Sequence, residues 1–234
     1  MKKLIIIPAR AGSKSLPGKN WKLFIDKPLI CHTIDFAMLI KKEEDIICIS
    51  SNDDKVLSIA ETYQKITILR RPEKLSGDSV GMNEVLVHAI DALEAEKKRF
   101  KSILLLQPTS PLRSTHDYDH LCKIFDKEVE LAVSVKESKA NPYFNLFEET
   151  KSGFLERSKT SNYKRRQDIP PVYEYNGSMY LANINALKKY GLHGMKKIRK
   201  MVMPEERSID IDDAMDWELV EYYYNKLIIS KHKL

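Results

Sequence analysis

The chain has 234 residues, of which 43% are hydrophobic and 31% charged, with a net charge of +6; that is enough to bury a good core in a single domain spanning residues 1–234. No apolar run approaches the roughly 18 residues of a membrane span, and the N-terminal residues lack a signal-peptide pattern, so a cytoplasmic location is expected and no membrane is a partner. Cys31, Cys48 and Cys122 are odd in number and lack C-x-x-C spacing, which argues against a disulfide framework or a zinc site and places all three as buried apolar residues. The basic clusters at 97–99 and 164–166 are short and no zinc-finger, RNP or helix-turn-helix signature accompanies them, so nucleic acid is not the expected partner of the positive charge. The net charge fits a polyanion binder or an enzyme for acidic small molecules, and charge alone does not choose between them.

In chain order, nearly continuous apolar runs at 4–7, 46–49, 66–69, 103–106 and 131–135 read as strands covered on both faces, the pattern of a parallel sheet. Between them, helical periodicity covers 29–40, 53–63 with Asn52 as a candidate cap, 81–96 and 115–125, where Ser114 or Thr115 can cap. This alternation predicts a doubly wound α/β fold, in which ligands sit beyond the carboxyl ends of the strands. Residues 136–177 mix aromatics, charges and prolines without a period and are expected to project as an arm or lid. Strands at 178–182 and 200–203 and a helix at 213–229 are expected to close the chain.

Three segments can carry chemistry. The first strand runs into PARAGSKSLPGKN, residues 8–20, with Arg10, Lys14, Lys19, Gly12 and Gly18. It fits neither G-x-x-x-x-G-K-[ST] nor G-x-G-x-x-G. Cations and backbone N–H groups at a strand end suit an anion, whereas the bland alternative is a polar surface loop. The second segment, LLLQPTSPLRS at 104–114, sets Gln107, Thr109, Ser110 and Arg113 in a proline-stiffened turn, suited to a hydroxylated ligand or simply to capping the next helix. The third, SIDIDDAMDWE at 208–218, spaces Asp210 and Asp212 by two, which puts both carboxylates on one face of an extended segment and invites Mg²⁺ between them. Its alternative is helix capping by Asp212 or Asp213.

IPARAGSKSLPGKN resembles the opening signature of the acylneuraminate cytidylyltransferases, the CMP-nonulosonate synthetases. LLQPTSPLR and SIDID with the later Asp216 resemble that family's second and last motifs, and RPEKLSGD at 71–78 its cytosine-side loop. With RRQD at 165–168 and NGSMY at 176–180, the resemblance covers nearly the whole chain. It implies a Rossmann-like nucleotidyltransferase fold with a mainly parallel sheet and a projecting dimerisation arm at 136–177, and a cytidylyltransferase that joins CTP to a nine-carbon 2-keto-3-deoxy sugar acid, releasing pyrophosphate.

Residue by residue, the resemblance places Arg10, Ala11, Gly12, Ser13, Lys19, Asn20, Arg71, Asp78 and Ser79 on CTP. It places Gln107, Thr109, Ser110, Arg166, Gln167, Asn176 and Gly177 on the sugar, and Asp210 and Asp212 on Mg²⁺. Arg10, Lys19 and Asp212 are the expected catalytic residues, Asp212 as base or as metal ligand. A homodimer is implied, with part of each sugar site supplied by the partner. Met82 stands where relatives carry serine, and Glu174 where sialate-activating bacterial relatives often carry arginine; NPYFNL resembles the legionaminate-activating branch. The alternatives are the Kdo-activating synthetase, whose second motif is typically Q-G-D-E-P, and a nucleotide or polyanion binding module without turnover.

Overall fold

A computed structural model describes residues 2–12, 15–77 and 79–231, with side chains placed up to residue 227. The strands are β1 (Lys3–Ala9), β2 (Leu23–Phe24), β3 (Lys27–Pro28), β4 (Ile46–Ser51), β5 (Ile66–Arg70), β6 (Ser102–Leu106), β7 (Leu131–Glu137), β8 (Phe147–Glu149), β9 (Leu155–Arg157), β10 (Tyr173–Asn183) and β11 (Ile198–Val202). The helices are α1 (Leu29–Ile40), α2 (Asp54–Glu61), α3 (Met82–Ala95), α4 (Thr115–Ile124), α5 (Ile184–Gly194) and α6 (Ala214–Lys231).

Seven strands form one sheet in the order β11-β7-β10-β6-β1-β4-β5. β1 is buried at every position because both of its faces are covered: Ile5, Ile7 and Ala9 enter one apolar cluster and Leu4 and Ile6 the other, as alternation along a strand requires. The expectation of a mainly parallel sheet holds, and the exception is informative. β10 lies antiparallel between β6 and β7, a position that the long excursion at 138–172 permits because it leaves the sheet where β7 ends and re-enters at that same end, Tyr173 pairing with Glu137. β10 is also longer than the expected 178–182, and its register against β7 shifts between Tyr175 and Tyr180. That bulge carries Asn176 and Gly177, with Gly177 at φ +73°, a conformation that glycine adopts without steric cost.

Three local expectations change. Asp53, not Asn52, caps α2 by accepting from the Lys55 amide, while the Asn52 side chain reaches back to the opening loop. Helix α5 follows an Asn183 cap and was not legible as a helix, since Gly191 breaks its regular backbone at φ 66°. Cys31 and Cys48 are buried, but Cys122 is only half-buried. Beyond the sheet, β8 and β9 pair as an antiparallel ribbon in the 136–177 segment, with every residue of both strands exposed. No helix among the described residues is long and apolar enough to cross a membrane.

Candidate active site

All three motifs meet at one end of the sheet. β1 delivers Arg10 and the loop after it; the Asn52 side chain accepts from the Ala11 amide at 2.9 Å, and the Asn20 side chain donates to the Arg10 carbonyl at 3.2 Å. The Ala11 amide and the buried Asn20 side chain therefore shape the loop, rather than offering an amide and a side chain freely to a phosphate. The same loop is anchored to the third motif. Ser15 donates to the Asp212 carbonyl, and Lys19 Nζ donates to the Ile211 carbonyl at 2.7 Å and approaches Asp212 Oδ1 at 3.3 Å. The second motif joins through the Ile211 amide, which donates to the Thr109 carbonyl at 2.9 Å.

On the other side of Arg10 stands Arg71. Its guanidinium is buried and donates to the Ser50 carbonyl at 2.7 Å. Burial, and then the positive charge of Arg10, pull its pKa down to about 10. It is still protonated at neutral pH, so the nucleotide side of the site keeps a fixed positive charge beside that of Arg10. Ser79 is exposed on the turn before α3 and Gly12 is open on its Cα side. The expected contributions of Ser13 and Asp78, and the charge of Lys14, lie outside the described residues.

Asp210 is the half-buried carboxylate of the site. Ser110 Oγ donates to its Oδ1 at 3.2 Å and Thr109 also hydrogen-bonds to it. Burial pushes its pKa up, the Asp212 charge adds to that, and the two hydroxyls oppose it. Gln107 Oε1 is buried without a hydrogen-bond partner, and a Cβ built on Gly177 would lie 2.7 Å from it and 2.8 Å from Asp210 Oδ2. Two acceptor oxygens thus converge where only glycine leaves room. Among the described residues no group of three or more His, Cys, Asp or Glu side chains is arranged to hold a metal ion by itself. A cation here would rest on Asp210 and Asp212 and take its other oxygens from water or substrate. That donor set fits Mg²⁺, a hard ion that keeps few protein ligands.

Asn176 differs from its expected role. Its Oδ1 accepts from Ser134 Oγ at 2.7 Å, its Nδ2 donates to Ser208 Oγ at 2.9 Å, and its carbonyl accepts from Ser110 Oγ at 3.2 Å. The side chain is used up inside the protein and positions the bulge instead of meeting a ligand. Arg113, which reads as a loop donor in sequence, is equally internal: it donates to the Gln107 and Ser110 carbonyls and to Ser178 Oγ and Thr33 Oγ1, holding the proline turn by its backbone. The helix-capping alternative holds for Asp213, whose carboxylate accepts from the Asp216 amide while Asp216 accepts from the Asp212 and Asp213 amides. Capping thus falls to Asp213 and Asp216, and the carboxylates of Asp210 and Asp212 are left for other work.

A cleft of about 500 Å³ opens beside Asp210 and Asp212, and Glu174, Glu205, Glu206 and Asp216 also line it, with Lys136 opposing them. Sequence reading missed this acidity because its glutamates come from β10 and from the turn before Ser208. Arg166 and Gln167 do not line this cleft; they border a separate depression at the foot of the arm with Asn141, Phe144 and Pro170.

Residues 4–229 match the family model described as cytidylyltransferase. The chain belongs to the cytidylyltransferase family. Among the relatives of this cytidylyltransferase, the CMP-N,N'-diacetyllegionaminic acid synthase of Legionella pneumophila is 30% identical over 94% of this chain and 95% of that protein. The N-acylneuraminate cytidylyltransferase of Escherichia coli O18:K1:H7 is 32% identical over 92% of this chain, which spans half of that longer protein. The solved structure of CMP:2-keto-3-deoxy-manno-octonic acid synthetase complexed with CTP superposes with a TM-score of 0.68 at 18% identity, covering 97% of this chain and 99% of that one. At that identity the likeness shows the shared fold.

Proposed function

We propose that this cytidylyltransferase activates a nine-carbon 2-keto-3-deoxy sugar acid of the N-acylneuraminate or legionaminate type with CTP, giving the CMP-sugar and pyrophosphate. The observation that carries it is the meeting of the opening loop, the Gln107–Arg113 turn and the Asp210–Asp212 segment at one strand end, together with the similarity to the Legionella pneumophila protein over nearly the whole length of both.

In this reading Arg10 and Lys19 hold the triphosphate, with Arg71 on the nucleotide side. Gln107 and Thr109 orient the sugar so that its anomeric hydroxyl faces the α-phosphorus, while Ser110, expected beside them, is buried and braces Asp210 and the bulge instead. The hydroxyl oxygen forms the new P–O bond as the bond to the leaving pyrophosphate breaks opposite it, and Asp212 is placed to take the hydroxyl proton. Mg²⁺ on Asp210 and Asp212 would supply charge neutralisation of the phosphate oxygens. Lys19 holds Asp212 in position, and the fixed cations stabilise charge without reorganising.

Arg166 and Gln167 fit the reading through a homodimer, in which they close over the sugar site of the other copy. Phe147, Phe154 and Leu155 are exposed on the ribbon of the arm, which supports an interface there. The protein is assigned to the cytoplasm, where CTP is available. The test is product analysis: CTP, Mg²⁺ and an N-acylated nine-carbon acid should yield the CMP-sugar with stoichiometric pyrophosphate. Failure across a panel of such acids, with CTP still binding, would favour a binding module.

A further inference from the structure

At the end of the sheet opposite the candidate active site lies a second cavity, of about 430 Å³. β1 is seven residues long, so the two ends are about 20 Å apart at roughly 3.3 Å per residue. Its walls are apolar: Tyr118 and Cys122 from α4, Phe125 just beyond that helix, and Leu181 from β10. Its rim is charged, with Lys3, Lys42, Lys101 and Lys127 against Asp119 and Asp126.

Two of those charges are already matched. Lys3 Nζ is 3.4 Å from the buried carboxylate of Asp45, and Arg199 Nη1 is 2.8 Å from Asp126. Among the described residues no ion pair engages Lys42, Lys101 or Lys127; Asp119 shares the rim with them, and Glu44 lies close enough to feel the charge of Lys42.

The second observation is inside. Tyr118 is 6% exposed and its hydroxyl has no hydrogen-bond partner of good geometry, with the Cys122 thiol beside it. A buried hydroxyl without a partner is costly and uncommon in a native interior. The hydroxyl oxygen itself is shielded from solvent, with the Cys122 thiol as a weak partner and both residues lining the cavity, so a ligand oxygen that displaces the thiol can supply a stronger bond.

We propose that this cavity is a second binding site, for a small amphipathic anion whose apolar or aromatic body lies against Phe125 and Leu181, whose polar atom meets the Tyr118 hydroxyl, and whose phosphate or carboxylate meets Lys42, Lys101 and Lys127. Neither the nucleotide nor the sugar of the proposed reaction is assigned to it, and none of its residues belongs to the candidate active site.

Cys122 gives a local readout, because it is half-buried in the cavity wall while Cys31 and Cys48 are buried elsewhere. Alkylation of Cys122 by N-ethylmaleimide is followed by peptide mass spectrometry, with phenyl phosphate as the probe, at concentrations up to ~10 mM, which covers a millimolar Kd. Phenyl phosphate should slow Cys122 labelling several-fold, and inorganic phosphate and benzyl alcohol should each protect much less. The double variant Lys101→Glu with Lys127→Glu should weaken protection at least tenfold. Tyr118→Phe should also weaken it while leaving thermal stability nearly unchanged, since it removes a hydroxyl whose neighbour is only the weakly bonding Cys122 thiol. Protection should persist in Arg10→Ala; if it vanishes there, it came from the nucleotide loop and the proposal falls. Absence of protection at every concentration, or equal protection by benzyl alcohol, would equally overturn it.

Discussion

Gln107 Oε1 and Asp210 Oδ2 converge on the Cα of Gly177, each within 3 Å of where a Cβ would stand. The bulge in β10 therefore sets the spacing between a neutral acceptor and a carboxylate drawn from two other motifs. Gly177→Ala meets both oxygens and also strains a backbone at φ +73°, a cost on the order of 1–2 kcal/mol. The expected result is a folded protein with a lowered Tm and turnover reduced at least tenfold. Wild-type kcat with only the Tm changed would mean that this spacing does not matter to the reaction.

Asp212 and Asp213 are neighbours with different work. Asp212→Asn removes a carboxylate whose side chain is 79% exposed and beside Lys19, so it should leave the melting temperature nearly unchanged and lower kcat by about 10²-fold, the scale of losing a key charge-stabilising group. Asp213→Ala removes a helix cap and should cost about 1 kcal/mol of stability, with little change in turnover. Paired melting curves and initial rates decide it; equal effects of the two substitutions would contradict the assignment.

Much of this division of labour was legible in advance. The spacing of Asp210 and Asp212 pointed to a shared face, and the runs at 4–7 and 103–106 stood out because strands buried on both faces need apolar residues at every position. Other features depend on contacts distant in sequence. The antiparallel insertion of β10 follows from where the 138–172 excursion returns. The internal use of Asn176 depends on Ser134 and Ser208, 42 and 32 residues away, and no local pattern announces it. The acidic cleft is hidden for the same reason, since Glu174 and Glu205 reach it from separate elements.

Glu174 lines that cleft and pairs with Lys136 at 3.1 Å. Glu174→Arg would set two cations side by side and replace an acceptor by a donor. It should change the order of kcat/KM among N-acetylneuraminate, Kdn and legionaminate, by about tenfold for the acid most affected, roughly the worth of one polar contact. An unchanged order would show that Glu174 does not face the sugar.

Asp117 reports on acid stability. Burial pushes its carboxyl upward in pKa, but hydrogen bonds from Arg207 and Ser114 outweigh this and hold it below the usual carboxylate range. The folded state then binds fewer protons than the unfolded chain on the acid side. The stability from this group is complete above the unfolded pKa, about 4, and is lost as pH falls through the lower folded value. Asp117→Asn should be less stable at neutral pH by about 3 kcal/mol and show a shallower loss of Tm on acidification. Parallel acid limbs for the two proteins would remove Asp117 from that role.

In the proposed function, the three motifs assemble one site that joins CTP to a nine-carbon sugar acid. The most direct measurement is Mg²⁺-dependent pyrophosphate release from CTP with N-acetylneuraminate, legionaminate, Kdn and Kdo compared side by side. Release is expected with at least one nine-carbon acid, at a kcat/KM exceeding that for Kdo by about tenfold or more, and is expected to be lost when Mg²⁺ is chelated. Kdo as the preferred acceptor, or release that is indifferent to Mg²⁺, would contradict it.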